Sequence, residues 1–130
     1  MSELAKTYVM ILGIILVALG AFGFVTPLAP GGNLFGVLAV GTMHSLTYLV
    51  LGVAALAAVA GGGAYPKLCA KVLGIVFGLF TIIGFMVSDG EILGLLNVNQ
   101  ADNVFHLLIA VTALYVGFNH EHSSARPATA

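Results

Sequence analysis

The feature that most constrains this chain is a long stretch without charge, since no Asp, Glu, Lys or Arg occurs from Thr7 to Pro66. Charged residues make up 7% of the 130 residues, whereas a soluble domain carries about 25%. Because a water-facing surface cannot be built from so few charges, the sequence predicts an integral membrane protein. Its formal net charge of −1 also offers no basic surface for nucleic acid.

Four apolar segments are each long enough to cross the hydrocarbon core of a bilayer, which takes about 20 residues of helix. They lie at about 8–25, 42–60, 69–87 and 101–118. We therefore predict an all-α fold, a polytopic membrane four-helix bundle, with the whole chain 1–130 as a single membrane domain. Segment 119–130 is polar and without periodicity, which indicates a mobile C-terminal tail.

The placement of the basic residues predicts the orientation of the chain. Lys6 precedes the first span, Lys67 and Lys71 lie at the junction of the second and third, and Arg126 follows the fourth. All four fall on one side of the membrane, and basic residues are enriched on the cytoplasmic side. We expect both termini and the middle loop in the cytoplasm and the other two loops outside.

The sequence contains a helical hairpin used twice. Leu12–Phe24 aligns with Leu73–Phe85, and Gly36–Leu56 aligns with Gly94–Leu114. Because each unit has two spans, both copies have the same orientation, which predicts a pseudo-two-fold axis along the membrane normal. A short apolar piece precedes the second span of each copy and is expected to lie at the interface or dip inward.

Polar residues gather at the outer ends of spans 2 and 4. The repeat aligns His44 with Asp102 and Tyr48 with His106, and a spacing of four residues puts the two members of each span on one helical face. A polar side chain inside a span usually faces the bundle interior. We therefore predict that spans 2 and 4 face each other through small residues, and that one cluster contains His44, Tyr48, Asn99, Asp102, Asn103 and His106.

Two interpretations of this cluster compete. As a structural element, it is a hydrogen-bond network that fixes helix register, with Asn99 as the N-cap of span 4 and Asp102 in its first turn. As a binding site, His44 and His106 would ligate a haem, a chlorophyll-type pigment or, with Asp102, a metal. Since no metal-ligand spacing motif occurs, we predict neither a metal site nor a bound cofactor.

At these residues the chain resembles a bacterial family of four-span membrane proteins known as domain of unknown function 4383. The family pattern N-x-x-D-N-x-x-H is met in full in span 4, by Asn99, Asp102, Asn103 and His106. The pattern N-x-x-H-N-x-x-H-x-x-x-G of span 2 is met at His44 and Gly52, whereas three positions differ: Gly41, Ser45 and Tyr48. The resemblance implies the four-span fold and the inner membrane of a bacterium, and it implies no activity.

Catalytic triads and phosphate-binding motifs are absent from the sequence, so we do not expect an enzyme. With short loops and Gly-rich spans, the chain is best suited to a structural or accessory subunit that packs in the bilayer against other membrane subunits. The alternatives are a cofactor- or metal-binding membrane protein and a small transporter. Glycines in spans 1 and 3 could serve either the bundle or such a partner, and we expect these spans to face it: Gly13, Gly20, Gly74 and Gly78.

The orientation can be tested with single cysteines, placed by Ser2→Cys and Gly31→Cys in a Cys69→Ser background. In sealed cells a membrane-impermeant thiol reagent should label position 31 and leave position 2 unlabelled, because only the first outer loop is exposed to it. If both positions react, or neither does, the predicted orientation and the number of spans are wrong.

Overall fold

A computed structural model describes residues 3–24, 33–34, 38–39, 42–87, 91–92, 96–97 and 100–119 of the chain. Within these residues the chain forms four helices: α1 (Glu3–Gly23), α2 (Thr42–Gly61), α3 (Tyr65–Val87) and α4 (Gln100–Phe118). Each helix is long and apolar enough to cross a membrane. This confirms the predicted all-α membrane bundle. The predicted mobile tail lies outside the described residues, apart from Asn119.

Helices α1 and α3 begin earlier than the spans read from the sequence. The added turns contain Lys6 in α1 and Lys67 in α3. A lysine can extend its ammonium group to the interface while its apolar stem lies along the helix. The helix can therefore continue past a lysine at which the apolar run of the sequence stops.

In each hairpin, the segment that connects the two helices contains a two-residue antiparallel ladder. Strand β1 (Asn33–Leu34) pairs with β2 (Leu38–Ala39), and β3 (Glu91–Ile92) pairs with β4 (Leu96–Asn97). The ladders occupy equivalent positions of the repeat, within the two short apolar pieces of the sequence. Strand β2 contacts α4 and β4 contacts α2, so each ladder reaches a helix of the other hairpin. We call this end of the bundle the ladder end and the opposite end the turn end.

The turn end takes its name from the tight connection between α2 and α3. Gly62 and Gly63 have φ values of 69° and 59°, in the left-handed region that residues with a side chain rarely adopt. The Gly62 amide donates to the carbonyls of Ala58 and Val59, both at 3.2 Å. These bonds close the C-terminal turn of α2 in the manner typical of a helix that ends at glycine.

Glycines allow the two helices of each hairpin to pack closely. A Cβ added to Gly52 of α2 would lie 2.7 Å from the Val17 amide nitrogen of α1 and 2.9 Å from the Gly13 carbonyl oxygen. In the second hairpin, a Cβ on Gly117 of α4 would lie 2.7 Å from the Lys71 amide nitrogen of α3. Such backbone approach at small residues is the main attraction between helices in lipid, so the hairpins are the tightly packed units.

Two expectations about small residues are corrected by this packing. The small faces of spans 2 and 4 were expected to pair with each other, yet Gly52 packs on α1 and Gly117 on α3. Gly74 was a candidate for partner contact, yet a Cβ there would lie 2.7 Å from the Leu114 side chain of α4. The reason is that α2 and α4 present large His and Tyr side chains to each other, which hold their backbones apart.

The interior is divided into an apolar and a polar part. Buried apolar side chains from all four helices fill most of the bundle: Ala5, Val9, Leu12, Leu16, Ala55, Ala70, Leu73, Phe77, Ile109, Ala110, Ala113 and Val116. Buried polar side chains concentrate toward the ladder end: His44, Ser45, Thr81, Asp102, Asn103 and His106. Among the described residues, the fully buried polar side chains are therefore confined to one end of the molecule.

A pair of glycine substitutions tests this packing. Gly52→Ala should lower the free energy of unfolding by about 1–3 kcal/mol, because overpacking a tight contact forces the backbones apart. Gly78→Ala is the matched control, since a Cβ there would have Ala110 as its neighbour at 4.0 Å, and it should be neutral. Unfolding of both variants in detergent would measure the difference. Equal stability of the two variants would contradict close packing within the hairpin.

Candidate functional site

The residues predicted to form one polar cluster are all inside the bundle where the structure describes them. His44 and Tyr48 come from α2, and Asp102, Asn103 and His106 come from α4, and each has 0% of its surface exposed. Asn99 lies outside the described residues. Burial of this kind is expensive for polar groups unless they are paired, so the contacts within the cluster decide what it does.

One hydrogen bond joins the two hairpins at the centre of the cluster. The Tyr48 hydroxyl lies 2.8 Å from Nε2 of His106. These residues occupy the same position in the two copies of the repeat, so the bond lies at the pseudo-two-fold axis. His106 is fully buried and thus points into the bundle, where it reaches a polar group of α2.

Aromatic rings surround the His106 imidazole. Its ring centroid lies 5.3 Å from that of Phe77 and 5.7 Å from that of Phe80, both of α3. Phe105 of α4 follows at 6.1 Å. Among the described residues, Nδ1 of His106 has no hydrogen-bond partner. The imidazole is therefore held by one bond at Nε2 and by ring packing elsewhere.

His44 completes the group of rings. Its centroid lies 4.6 Å from that of Tyr48 and 5.6 Å from that of His106. It stands in the first turn of α2, as Asp102 stands in the first turn of α4. Asp102 is fully buried and lies four residues before His106, on the same face of α4. The structure thus brings together two imidazoles, one phenol and one carboxylate.

A second equivalent pair lies on either side of the axis. Ser45 and Asn103 are fully buried, and the Asn103 amide packs directly against Gly84 of α3. Neither side chain finds a hydrogen-bond partner among the described residues. Sequence reasoning did not place Ser45 in the cluster, although its alignment with Asn103 is the signal that could have done so.

The three phenylalanines around His106 were also missed, because a Phe in an apolar span carries no signal of its own. Their spacing is informative in retrospect, since Phe77 and Phe80 lie three residues apart and hence on one face of α3. They close the cluster toward α3 and toward lipid. A flat macrocycle bound at His106 would have to displace either these rings or Tyr48.

Metal chemistry finds little support in the described residues. No group of three or more His, Cys, Asp or Glu side chains among them is arranged to hold a metal ion.

A different feature lies on the lipid side of α1 and α4. A groove of about 410 Å³ runs between these helices and is almost wholly apolar, lined by Tyr8, Ile11, Leu12, Ile15, Phe105, Leu108, Ile109 and Thr112. The Tyr8 hydroxyl lies 2.6 Å from Oγ1 of Thr112 and donates to the Ile109 carbonyl at 3.3 Å. Its few polar atoms are thus already bonded to one another.

Lysines at the turn end interact with the C-terminus of α4. Lys67 Nζ donates to the Asn119 carbonyl, and Lys71 Nζ lies 5.2 Å from the centroid of the Phe118 ring. Positive charge at a helix C-terminus is favourable because the helix dipole is negative there. Lys67 and Lys71, two of the basic residues that indicate orientation, therefore also stabilise the end of the last helix.

Two equivalent hairpins of membrane-length helices, joined at a buried cluster of imidazole, phenol and carboxylate, define a small polytopic membrane protein. The family model described as "Domain of unknown function (DUF4383)" matches residues 6–119. The chain belongs to this family, which confirms the resemblance seen in its sequence. Neither a curated protein nor a solved structure matches the chain.

Removal of the phenol oxygen tests the central hydrogen bond. Tyr48→Phe should lower the free energy of unfolding by about 1–3 kcal/mol, because Nε2 of His106 would be left buried and unpaired. Tyr115→Phe makes the same chemical change at a side chain that is 66% exposed and should have little effect. Unfolding of both variants in the same detergent gives the comparison. A Tyr48→Phe variant as stable as the Tyr115→Phe variant would show that the bond does not join the hairpins.

Proposed function

We propose that this protein is a non-enzymatic structural or accessory subunit that packs against other subunits of a larger complex in the bacterial inner membrane. Both termini and the turn end face the cytoplasm in this proposal, and the ladder end faces outward. The main observation in support of this proposal is that the polar cluster is closed off from the surface of the bundle. Every described member of that cluster is fully buried, so the surface left for interaction is the lipid-facing one.

That surface consists of large apolar side chains on all four helices. Each helix presents one that is more than half exposed: Ile14 at 56%, Val53 at 59%, Ile82 at 60% and Leu108 at 61%. Lipid tails are as apolar as these side chains, so burial alone gives no drive to association in a bilayer. A partner helix would bind by shape, at a face that accepts close van der Waals contact.

The cofactor-binding alternative fits the geometry less well. His106 uses Nε2 for Tyr48, and its other sides meet the phenylalanine rings. A haem or pigment bound at His44 or His106 would require the cluster to open. An absorbance spectrum and a metal analysis of the purified protein would distinguish this alternative from the subunit proposal.

The transporter alternative lacks a polar path. The buried polar groups of the described residues end at His106, and the interior beyond it toward the turn end consists of apolar side chains such as Leu73, Ile109 and Val116. A transported ion or polar solute needs ionisable or hydrogen-bonding groups along its route. This favours a protein that packs over one that conducts.

The orientation within the proposal follows from the basic residues. Lys6, Lys67 and Lys71 lie at the turn end, and Arg126 follows α4 in sequence, outside the described residues. Because basic residues are enriched on the cytoplasmic side, the turn end is assigned to the cytoplasm.

The four equally exposed positions provide a matched set of variants. Ile14→Trp, Val53→Trp, Ile82→Trp and Leu108→Trp each enlarge one lipid-facing surface without touching the core. We expect the protein to co-purify with other membrane subunits in mild detergent. At least one of the four variants should lose this association while keeping the unfolding stability of the parent, because the bulky ring disrupts the partner face.

The variants that keep the association serve as internal controls, since they carry the same new side chain at a similar exposure. Isolation of the protein from native membranes as a lone monomer would contradict the proposal. A stoichiometric haem, pigment or metal in that monomer would favour the cofactor alternative instead.

A further inference from the structure

We propose that His106 is a pH sensor, and that the cluster of His44, Tyr48, Asp102 and His106 is a latch which holds the ladder ends of α2 and α4 together only while His106 is neutral. The proposal does not depend on the accessory-subunit function. It rests on the contacts of the cluster and on a count of the charges that the cluster can balance.

The titratable groups of the latch come from two helices. His44 and Tyr48 belong to α2, and Asp102 and His106 belong to α4. Helix α3 contributes Phe77, Phe80 and Thr81 at this end, and the described titratable residues of α1 and α3 lie toward the turn end. Strands β2 and β4, which contact α4 and α2, contain no titratable residue.

One carboxylate can balance one imidazolium. With Asp102 ionised, a single proton on the imidazole pair makes the latch neutral overall. A second proton would leave a net positive charge in a buried site, beside another imidazolium whose ring centroid is 5.6 Å away. Both helices also begin here, and the positive ends of their dipoles oppose further positive charge. The closed latch therefore accepts one proton and not two.

The surroundings of the two rings decide which imidazole carries that proton. His106 lies in the second turn of α4, and its ring centroid is 5.3 Å from that of Phe77 and 5.7 Å from that of Phe80. His44 stands in the first turn of α2, one turn nearer the ladder end. A charge is more costly to bury deep in a membrane-spanning bundle and among apolar rings than near the end of a helix. The proton therefore resides on His44, and His106 stays neutral while the latch is closed.

Acid then opens the latch by linkage. Imidazole ordinarily titrates near pH 6.5, so below that pH the opened chain carries protons on both histidines and the closed one carries one. Stability decreases as the pH is lowered wherever the unfolded state binds more protons than the native state. A difference of one proton raises the equilibrium constant for unfolding by up to about tenfold per pH unit, and a difference of two by up to about a hundredfold.

The experiment measures this slope for the full-length protein in one detergent between pH 6 and pH 5, below the pH at which imidazole ordinarily titrates. The parent should approach a tenfold rise per pH unit. His44→Gln should keep that slope, because His106 still takes up its proton only on opening. Asp102→Asn should approach a hundredfold rise, since neither imidazole is then balanced. His106→Gln should show almost no slope, because its remaining imidazole is balanced by Asp102.

The matched control is the double variant His120→Gln, His122→Gln, which removes the same number of imidazoles as the latch contains, from the C-terminal segment. Its slope should equal that of the parent. Should His106→Gln fail to fold, ¹⁵N-histidine spectra of the folded parent at pH 5 provide the second measurement, with one latch imidazole charged and His106 neutral. A charged His106 in those spectra, a parental slope in His106→Gln or Asp102→Asn, or a lost slope in the tail variant would overturn the proposal.

Discussion

The fold depends on a hydrogen bond between two residues that the repeat makes equivalent, Tyr48 and His106. Within each hairpin, glycines bring the backbones together, and such contacts need only small residues on facing helices. Between the hairpins the α2 and α4 side chains are too large for this kind of approach. The Tyr48–His106 bond and the rings around it supply the missing contact, and they do so at the ladder end, where each ladder contacts a helix of the other hairpin.

This difference between the contacts within a hairpin and those between the hairpins explains why the interior is polar at one end and apolar elsewhere. In a bilayer, apolar side chains gain little by leaving lipid, so two smooth hairpins have little to distinguish one relative arrangement from another. A buried polar group has a strong preference for its partner, because an unpaired donor or acceptor in the interior is costly. The cluster thus sets how the hairpins are rotated and offset, while the apolar side chains fill the space that results.

Much of this architecture can be predicted from the sequence, because lipid imposes strict rules on charge and length. The uncharged run from Thr7 to Pro66 and the aligned hairpins led to the four helices and the pseudo-axis, and the depth of His106 led to its inward orientation. The destination of the small residues could not be predicted, since a glycine on a helix does not indicate which neighbour approaches it. The position of the phenylalanines around His106 could not be predicted either, because it depends on how α3 crosses the cluster and not on their own chemistry.

The concentration of close backbone contacts within each hairpin has a consequence for biogenesis. The first hairpin can complete its Gly52 contacts with α1 as soon as α2 has been synthesised and inserted, because none of them requires the later helices. During that interval His44 and Tyr48 have no partner from α4 and face the bilayer, where buried polar groups are unfavourable. The last steps of synthesis therefore remove a polar surface from lipid, and a chain truncated before α4 would retain a feature by which membrane quality control can distinguish it from the finished protein.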